Sequence, residues 1–215
     1  EVPVYPCISD SGFEGEHRTP SAWRAAAANA WDAGADGIYT FNLFPSDRVR
    51  VREDSFAMTH DPPWRDVLCQ IGDPTTLRHA DKLYGLDKAI TPSFLANASP
   101  AENRLPLAIE NQLHVCFPVS DDLSSPQQRL NKLTLTLRVA GLDSPDAIAV
   151  QLNGHTPPYS QQQQAPTDGL WKLQYQPSPT MIVKGNNQLM LTIPENAPGP
   201  ITLEDMSLHC YGDAN

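Results

Sequence analysis

The chain has 215 residues, of which 25 are acidic and 15 basic, for a formal net charge of −10. With no basic cluster to override it, that balance argues against non-specific binding to nucleic acid or to an anionic membrane. No apolar run approaches the ~20 residues needed to cross a bilayer. The length allows one or two domains with a substantial core, and 21 prolines against 12 glycines suit a loop-rich β protein better than a helical one.

Taken in order, residues 2–8 (Val-Pro-Val-Tyr-Pro-Cys-Ile) offer the first strand. The terminus itself has neither a starting methionine nor the pattern of a signal peptide, so the chain is expected to begin inside a longer protein. A polar loop, residues 9–18, leads to Thr19-Pro20-Ser21, where a capping hydroxyl and a first-turn proline predict a helix start. From Ala22 to Ala33 the residues are strong helix formers, with Trp23, Ala26, Ala27, Ala30 and Trp31 recurring at three- and four-residue intervals. Gly34 stops the helix. Gly37-Ile38-Tyr39-Thr40-Phe41 then reads as a strand buried on both faces, which makes a βαβ unit with residues 2–8 as the parallel partner.

Val49 to Asp54 alternates, as a short exposed strand or a loop would. Pro62-Pro63 opens a helix over Trp64–Ile71 ended by Gly72, and Asp73-Pro74-Thr75 opens another expected over Thr76–Tyr84, closed by Gly85. Periodicity fades between Lys88 and Arg104, so a linker is drawn at 91–104 between a unit at 1–90 and a second at 105–215. Beyond it come strands separated by turns: Leu107–Ile109, Leu113–Val119, Lys132–Val139, Ala147–Leu152, Trp171–Tyr175, Gln188–Ile193 and Ile201–Tyr211. Asn153-Gly154 and Gly185-Asn186-Asn187 are turn signals, and Gln161–Gln164 reads as a low-complexity loop. This spacing argues for an antiparallel β-sandwich. The fold class is therefore α/β plus all-β.

The four cysteines, Cys7, Cys69, Cys116 and Cys210, form no CxxC pair, so neither a zinc site nor a redox dithiol is expected. Cys7 and Cys69 read as buried free thiols. A Cys116–Cys210 disulfide is possible only if their strands pair, and the free-thiol reading stands above it. There is no Ser-His-Asp signature, phosphate loop, dinucleotide fingerprint or calcium-loop spacing, so no cofactor or metal is expected.

Three phrases, Ala22-Trp23-Arg24-Ala25-Ala26-Ala27, Asp36-Gly37-Ile38-Tyr39-Thr40-Phe41-Asn42, and Ile71-Gly72-Asp73-Pro74 followed by Lys82-Leu83-Tyr84, resemble the last two βα units of glycoside-hydrolase-like (β/α)8 barrels of bacterial polysaccharide metabolism. The second half resembles the galactose-binding-like jelly-roll modules that follow such barrels. It does so through Val150-Gln151-Leu152-Asn153-Gly154, Ile182-Val183-Lys184-Gly185-Asn186-Asn187-Gln188-Leu189 and Ile201-Thr202-Leu203-Glu204-Asp205-Met206. A complete barrel takes about 250 residues, so the resemblance implies a C-terminal fragment of a secreted or periplasmic protein. The rest of the barrel would lie upstream as its missing partner, and the fragment alone would be inactive.

Glycoside cleavage needs two facing carboxyl groups. The acids near the expected strand ends are Asp10, Glu14, Glu16 and Asp47. Asp10 and Glu14 are the catalytic candidates, with solvated loop acids as the competing reading. Asn42 and Phe44 offer a hydrogen bond and a stacking surface, against simple rim packing, and His17-Arg18 offers an anion contact. In the second half Tyr159, Trp171 and Tyr175, with Asn153 and Gln151, are the residues a glycan would use. Tyr159 and Tyr175 are retained as substrate-binding candidates, Trp171 reads as core, and Asn153 reads as a turn residue. Trp23 and Trp31 read as core. The competing function classes are a non-catalytic carbohydrate-binding module and a purely structural β module. The oligomeric state is left open.

Overall fold

The computed structural model describes residues 2–9, 19–41, 63–86, 104–128, 130–164, 169–195 and 199–212. Within them the protein is mostly β, with three short helices and several antiparallel pairings.

The chain opens with the expected parallel pair, although the strand expected to be buried on both faces leaves Tyr39 exposed. Strand β1 (Cys7–Ser9) runs beside β2 (Tyr39–Phe41), with Ile8 opposite Thr40, and helix α1 (Pro20–Asp32) connects them. The Thr19 hydroxyl caps α1 by accepting from the Ala22 N–H at 3.3 Å, and Pro20 takes the first turn. Gly34 ends it with φ +89°, a left-handed conformation that glycine enters without a Cβ penalty. Helix α2 (Pro63–Ile71) follows, then a single turn, α3 (Pro74–Leu77), whose Asp73 cap accepts from the Thr75 N–H and hydroxyl, each at 2.8 Å.

Helix α1 is buried on two sides. Trp23, Ala27 and Ala28 join Ile8, Val67, Ile71 and Leu77 in one apolar cluster, while Ala25 belongs to the larger core of the β strands. Its alanines are what allow close approach on both sides. Trp23 is fully buried, as the sequence predicts, whereas Trp31, expected as core too, packs only partly buried against the smaller cluster.

The helix expected over Thr76–Tyr84 is corrected. It stops after Leu77, and Lys82–Gly85 forms strand β3 instead. Pairing decides this: β3 lies antiparallel on the last strand of the chain, with Tyr84 opposite Leu208 and Lys82 opposite Cys210. A strand from the first half thus joins a sheet built from the second.

The remaining strands are β4 (Leu107–Ile109), β5 (Gln112–Val119), β6 (Leu130–Ala140), β7 (Ala149–Leu152), β8 (Tyr159–Gln164), β9 (Trp171–Tyr175), β10 (Gly185–Thr192) and β11 (Ile201–Gly212). One sheet has the order β5-β10-β7. The other runs β3-β11-β6-β9-β8, with β4 also on β11. Their buried side chains, among them Val115, Phe117, Leu135, Leu137, Leu173, Leu189, Leu191 and Leu208, belong to a single cluster.

Two turn assignments change. Gln161–Gln164, expected as a loop, lies in edge strand β8. A run of glutamines carries no apolar alternation to announce a strand, yet its backbone pairs with β9. Gly185-Asn186-Asn187 opens β10 rather than turning, because it pairs antiparallel with Val119, Pro118 and Phe117 of β5, while the Asn187 amide holds the preceding bend by donating to the Val183 and Gly185 carbonyls at 2.8 and 3.0 Å. The thiols also differ from expectation. Cys7 and Cys69 are exposed, as is Cys116, and only Cys210 is buried. Strands β5 and β11 sit in different sheets, so the pairing on which a Cys116–Cys210 disulfide depended does not occur, and all four cysteines are free.

Candidate functional site

The pairing of β3 with β11 brings the last turn of α1 against the segment after β5 and the turn before β10. A groove of about 490 Å³ lies along this seam. Helix α1 supplies Trp31 and Asp32, Arg78 follows α3, residues 120–128 supply Asp121, Asp122 and Gln127, and Lys184 comes from the turn before β10. The indole N–H of Trp31 donates to the Ile71 carbonyl at 2.8 Å, which fixes the ring at the groove wall.

The floor is held by a buried polar cluster. Lys82 is fully buried, and its Nζ lies 2.9 Å from Asp121 Oδ2. The Tyr84 hydroxyl donates to the same oxygen at 2.9 Å and lies 3.1 Å from Ser120 Oγ. Burial, reinforced by the Asp121 charge, pushes the Tyr84 hydroxyl well above its ordinary pKa, so it stays protonated as a donor. Burial likewise pushes the Cys210 thiol up, with the Asp121 charge acting in the same direction, which keeps it an unreactive thiol. At the rim Lys184 Nζ meets Asp32 Oδ1 at 2.7 Å. That hydrogen bond and the Asp32 charge raise the Lys184 ammonium above its usual value, with smaller contributions from Asp122 and Asp121.

Chemically, the groove combines one aromatic wall with carboxylates, amides and hydroxyls. This is a set suited to holding a hydroxyl-rich ligand by hydrogen bonds and ring contact. Among the described residues no group of three or more His, Cys, Asp or Glu side chains could hold a metal ion.

The candidates named from sequence fall in two groups. Asp10, Glu14, Glu16, His17, Arg18, Asn42, Phe44 and Asp47 lie outside the described residues. In the second half, Tyr159 and Tyr175 are brought together: they face each other across β8 and β9, with ring centroids 5.2 Å apart in an edge-on arrangement. Tyr159 is 46% exposed and Tyr175 only 6%, and burial raises both phenols, Tyr175 the more. Trp171 packs against the core and donates its indole N–H to the Leu142 carbonyl at 2.9 Å. Asn153 is a turn residue at φ +51°. Its amide N–H group donates to the Met181 carbonyl and to Asn187 Oδ1 at 2.8 and 2.7 Å, and its Oδ1 accepts from the Gln188 N–H at 2.8 Å.

The groove residues Asp32, Arg78, Asp121, Asp122, Gln127 and Lys184 were not anticipated. The one signal available was the Asp121-Asp122 pair, one residue beyond a strand-like run.

No protein-family model matches the chain, and no curated protein matches it. Among solved structures, a β-porphyranase of glycoside hydrolase family 86 from the human gut bacterium Bacteroides plebeius is similar, with 11% identity and a TM-score of 0.38. The match covers 60% of this chain and spans 20% of the length of that protein.

Proposed function

We propose that this chain is the C-terminal part of a secreted, glycoside-hydrolase-like protein and contacts polysaccharide through the seam groove, without catalysing its cleavage alone. In this reading the α1 unit is the end of a barrel, and the two antiparallel sheets are a jelly-roll-like β-sandwich packed against it. The observation that carries the carbohydrate assignment is the groove itself, where the Trp31 ring stands beside the carboxylates and amides of residues 121–128. The barrel assignment draws support from the parallel β1–β2 pair joined by a helix. It draws more from the exposure of Val2, Val4, Tyr5 and Tyr39 around that pair, an apolar surface that an upstream barrel segment would cover.

Electrophoresis through gels containing individual polysaccharides tests the binding. Retardation by at least one of a broad panel is expected, and uniform mobility across the panel contradicts it. Glycosidase turnover by this 215-residue chain that disappears on Asp10→Asn would contradict the non-catalytic assignment.

A second reading rests on a specific feature, the Tyr159–Tyr175 pair across edge strand β8 and its neighbour β9, where the exposed Tyr159 ring would serve as the glycan platform. Loss of retardation on Tyr159→Ala with groove variants unaffected would favour it.

A further inference from the structure

We infer that the groove selects uncharged oligosaccharides, an inference that rests on the carbohydrate reading above. Among the described residues its charges cancel locally. Lys82 lies behind Asp121 at 2.9 Å, and Lys184 meets Asp32 at 2.7 Å. The two further charged groups of the lining, Arg78 and Asp122, are of opposite sign. Among the described residues, three positive groups therefore stand with three negative ones, on a chain whose overall charge is −10. A glycan bearing carboxylates or sulfates would meet the repulsion of the whole molecule with no local excess of positive charge to offset it. A polycationic glycan would find two of the three carboxylates, Asp121 and Asp32, already paired, and releasing Asp121 would strand the buried Lys82 ammonium.

What remains for recognition is uncharged chemistry. The Gln127 side-chain amide makes no hydrogen bond within the chain among the described residues, although its backbone N–H is held by Ser125 Oγ at 3.3 Å. Beside it stand the Ser125 hydroxyl and the Trp31 ring. An amide and a hydroxyl both donate and accept, which matches sugar hydroxyls and gives no preference for a charge. The paired Lys184 and Asp32 at the rim are positioned to hydrogen-bond further hydroxyls.

The test is calorimetric titration with neutral cello-, xylo-, manno- and galacto-oligosaccharides and with anionic oligogalacturonate and carrageenan oligosaccharides. Each is run at about 10 mM and about 1 M NaCl, between which the Debye length falls from about 30 Å to about 3 Å. Binding of a neutral oligosaccharide is expected, with Kd changing by less than about twofold across that range and weakened about fivefold by Gln127→Ala. Preferential binding of an anionic oligosaccharide, with affinity falling more than about tenfold in high salt, overturns this inference but leaves the carbohydrate reading in place. Binding of a neutral oligosaccharide that Gln127→Ala leaves unchanged and Tyr159→Ala abolishes also overturns it. Binding of neither class overturns the carbohydrate reading as well.

Discussion

Replacing Asp121 by alanine removes the carboxylate paired with a lysine that water does not reach. Lys82 is fully buried and Asp121 has 12% of its side chain exposed, with 2.9 Å between Nζ and Oδ2. Breaking a buried ion pair from one side costs about 3–5 kcal/mol, because the surviving charge is left without compensation. Partial exposure of the Asp121 side places the ionic contribution near the lower end. The Tyr84 hydroxyl also loses its carboxylate acceptor but keeps Ser120 within 3.1 Å, adding about 1 kcal/mol or less. The sum is about 3–4 kcal/mol, and at about 2–4 °C per kcal/mol for a chain of this size the melting temperature should fall by roughly 10 °C. Urea unfolding followed by far-UV circular dichroism measures it directly. The double variant Lys82→Met/Asp121→Ala removes both charges and should recover most of the loss, since apolar replacements of buried pairs are close to neutral or stabilising. A loss below about 1 kcal/mol in Asp121→Ala, or a double variant no more stable than the single one, would refute the buried-pair reasoning.

Other consequences follow from single residues. His209 stacks on Tyr211 at 3.7 Å between ring centroids. Burial lowers its pKa below 6.5, aided by Lys132 and opposed by Asp81. Because the unfolded chain then holds that proton more tightly, stability should fall as the pH drops below about 6.5, by at most about 1.4 kcal/mol per pH unit. His209→Phe should remove that component from the urea midpoints, and equal pH slopes in the two proteins would contradict it. Asn153→Ala should cost about 2–3 kcal/mol, from lost side-chain hydrogen bonds and an alanine forced to positive φ. It should leave glycan retardation unchanged, and a ligand-binding role would show as the reverse. A thiol reagent should label Cys7, Cys69 and Cys116 in the native protein and reach Cys210 only on unfolding. Rapid labelling of Cys210 in the native state would place it differently.

The parts of the fold that local chemistry determines were legible in the residues. Thr19, Pro20 and Gly34 mark the ends of α1, and the β-branched and aromatic run before Phe41 marks β2, so the parallel pair could be anticipated. Strands with one buried face, such as β6 with its Leu-Thr-Leu-Thr-Leu, announce themselves by alternation. Strand β3 did not, because Lys82-Leu83-Tyr84 follows a good helix start and only its long-range partner, residues 207–210, makes it a strand. Strand β8 was missed because glutamines on an edge need no apolar period. The groove was illegible for a related reason: Trp31, Arg78, Asp121 and Lys184 are far apart in sequence and meet only once β3 has docked on β11. A lysine within an apolar strand reads as exposed, and nothing nearby in sequence reveals that its counter-ion is Asp121.

The most direct test of the groove as the glycan contact is a proton–nitrogen NMR titration with the neutral oligosaccharides. Shifts should gather at the Trp31 indole, the Gln127 side-chain amide and the backbone of residues 120–128, all within the seam. Shifts confined to the Tyr159–Tyr175 strand pair, with the Trp31 indole signal unmoved at saturation, would contradict the account.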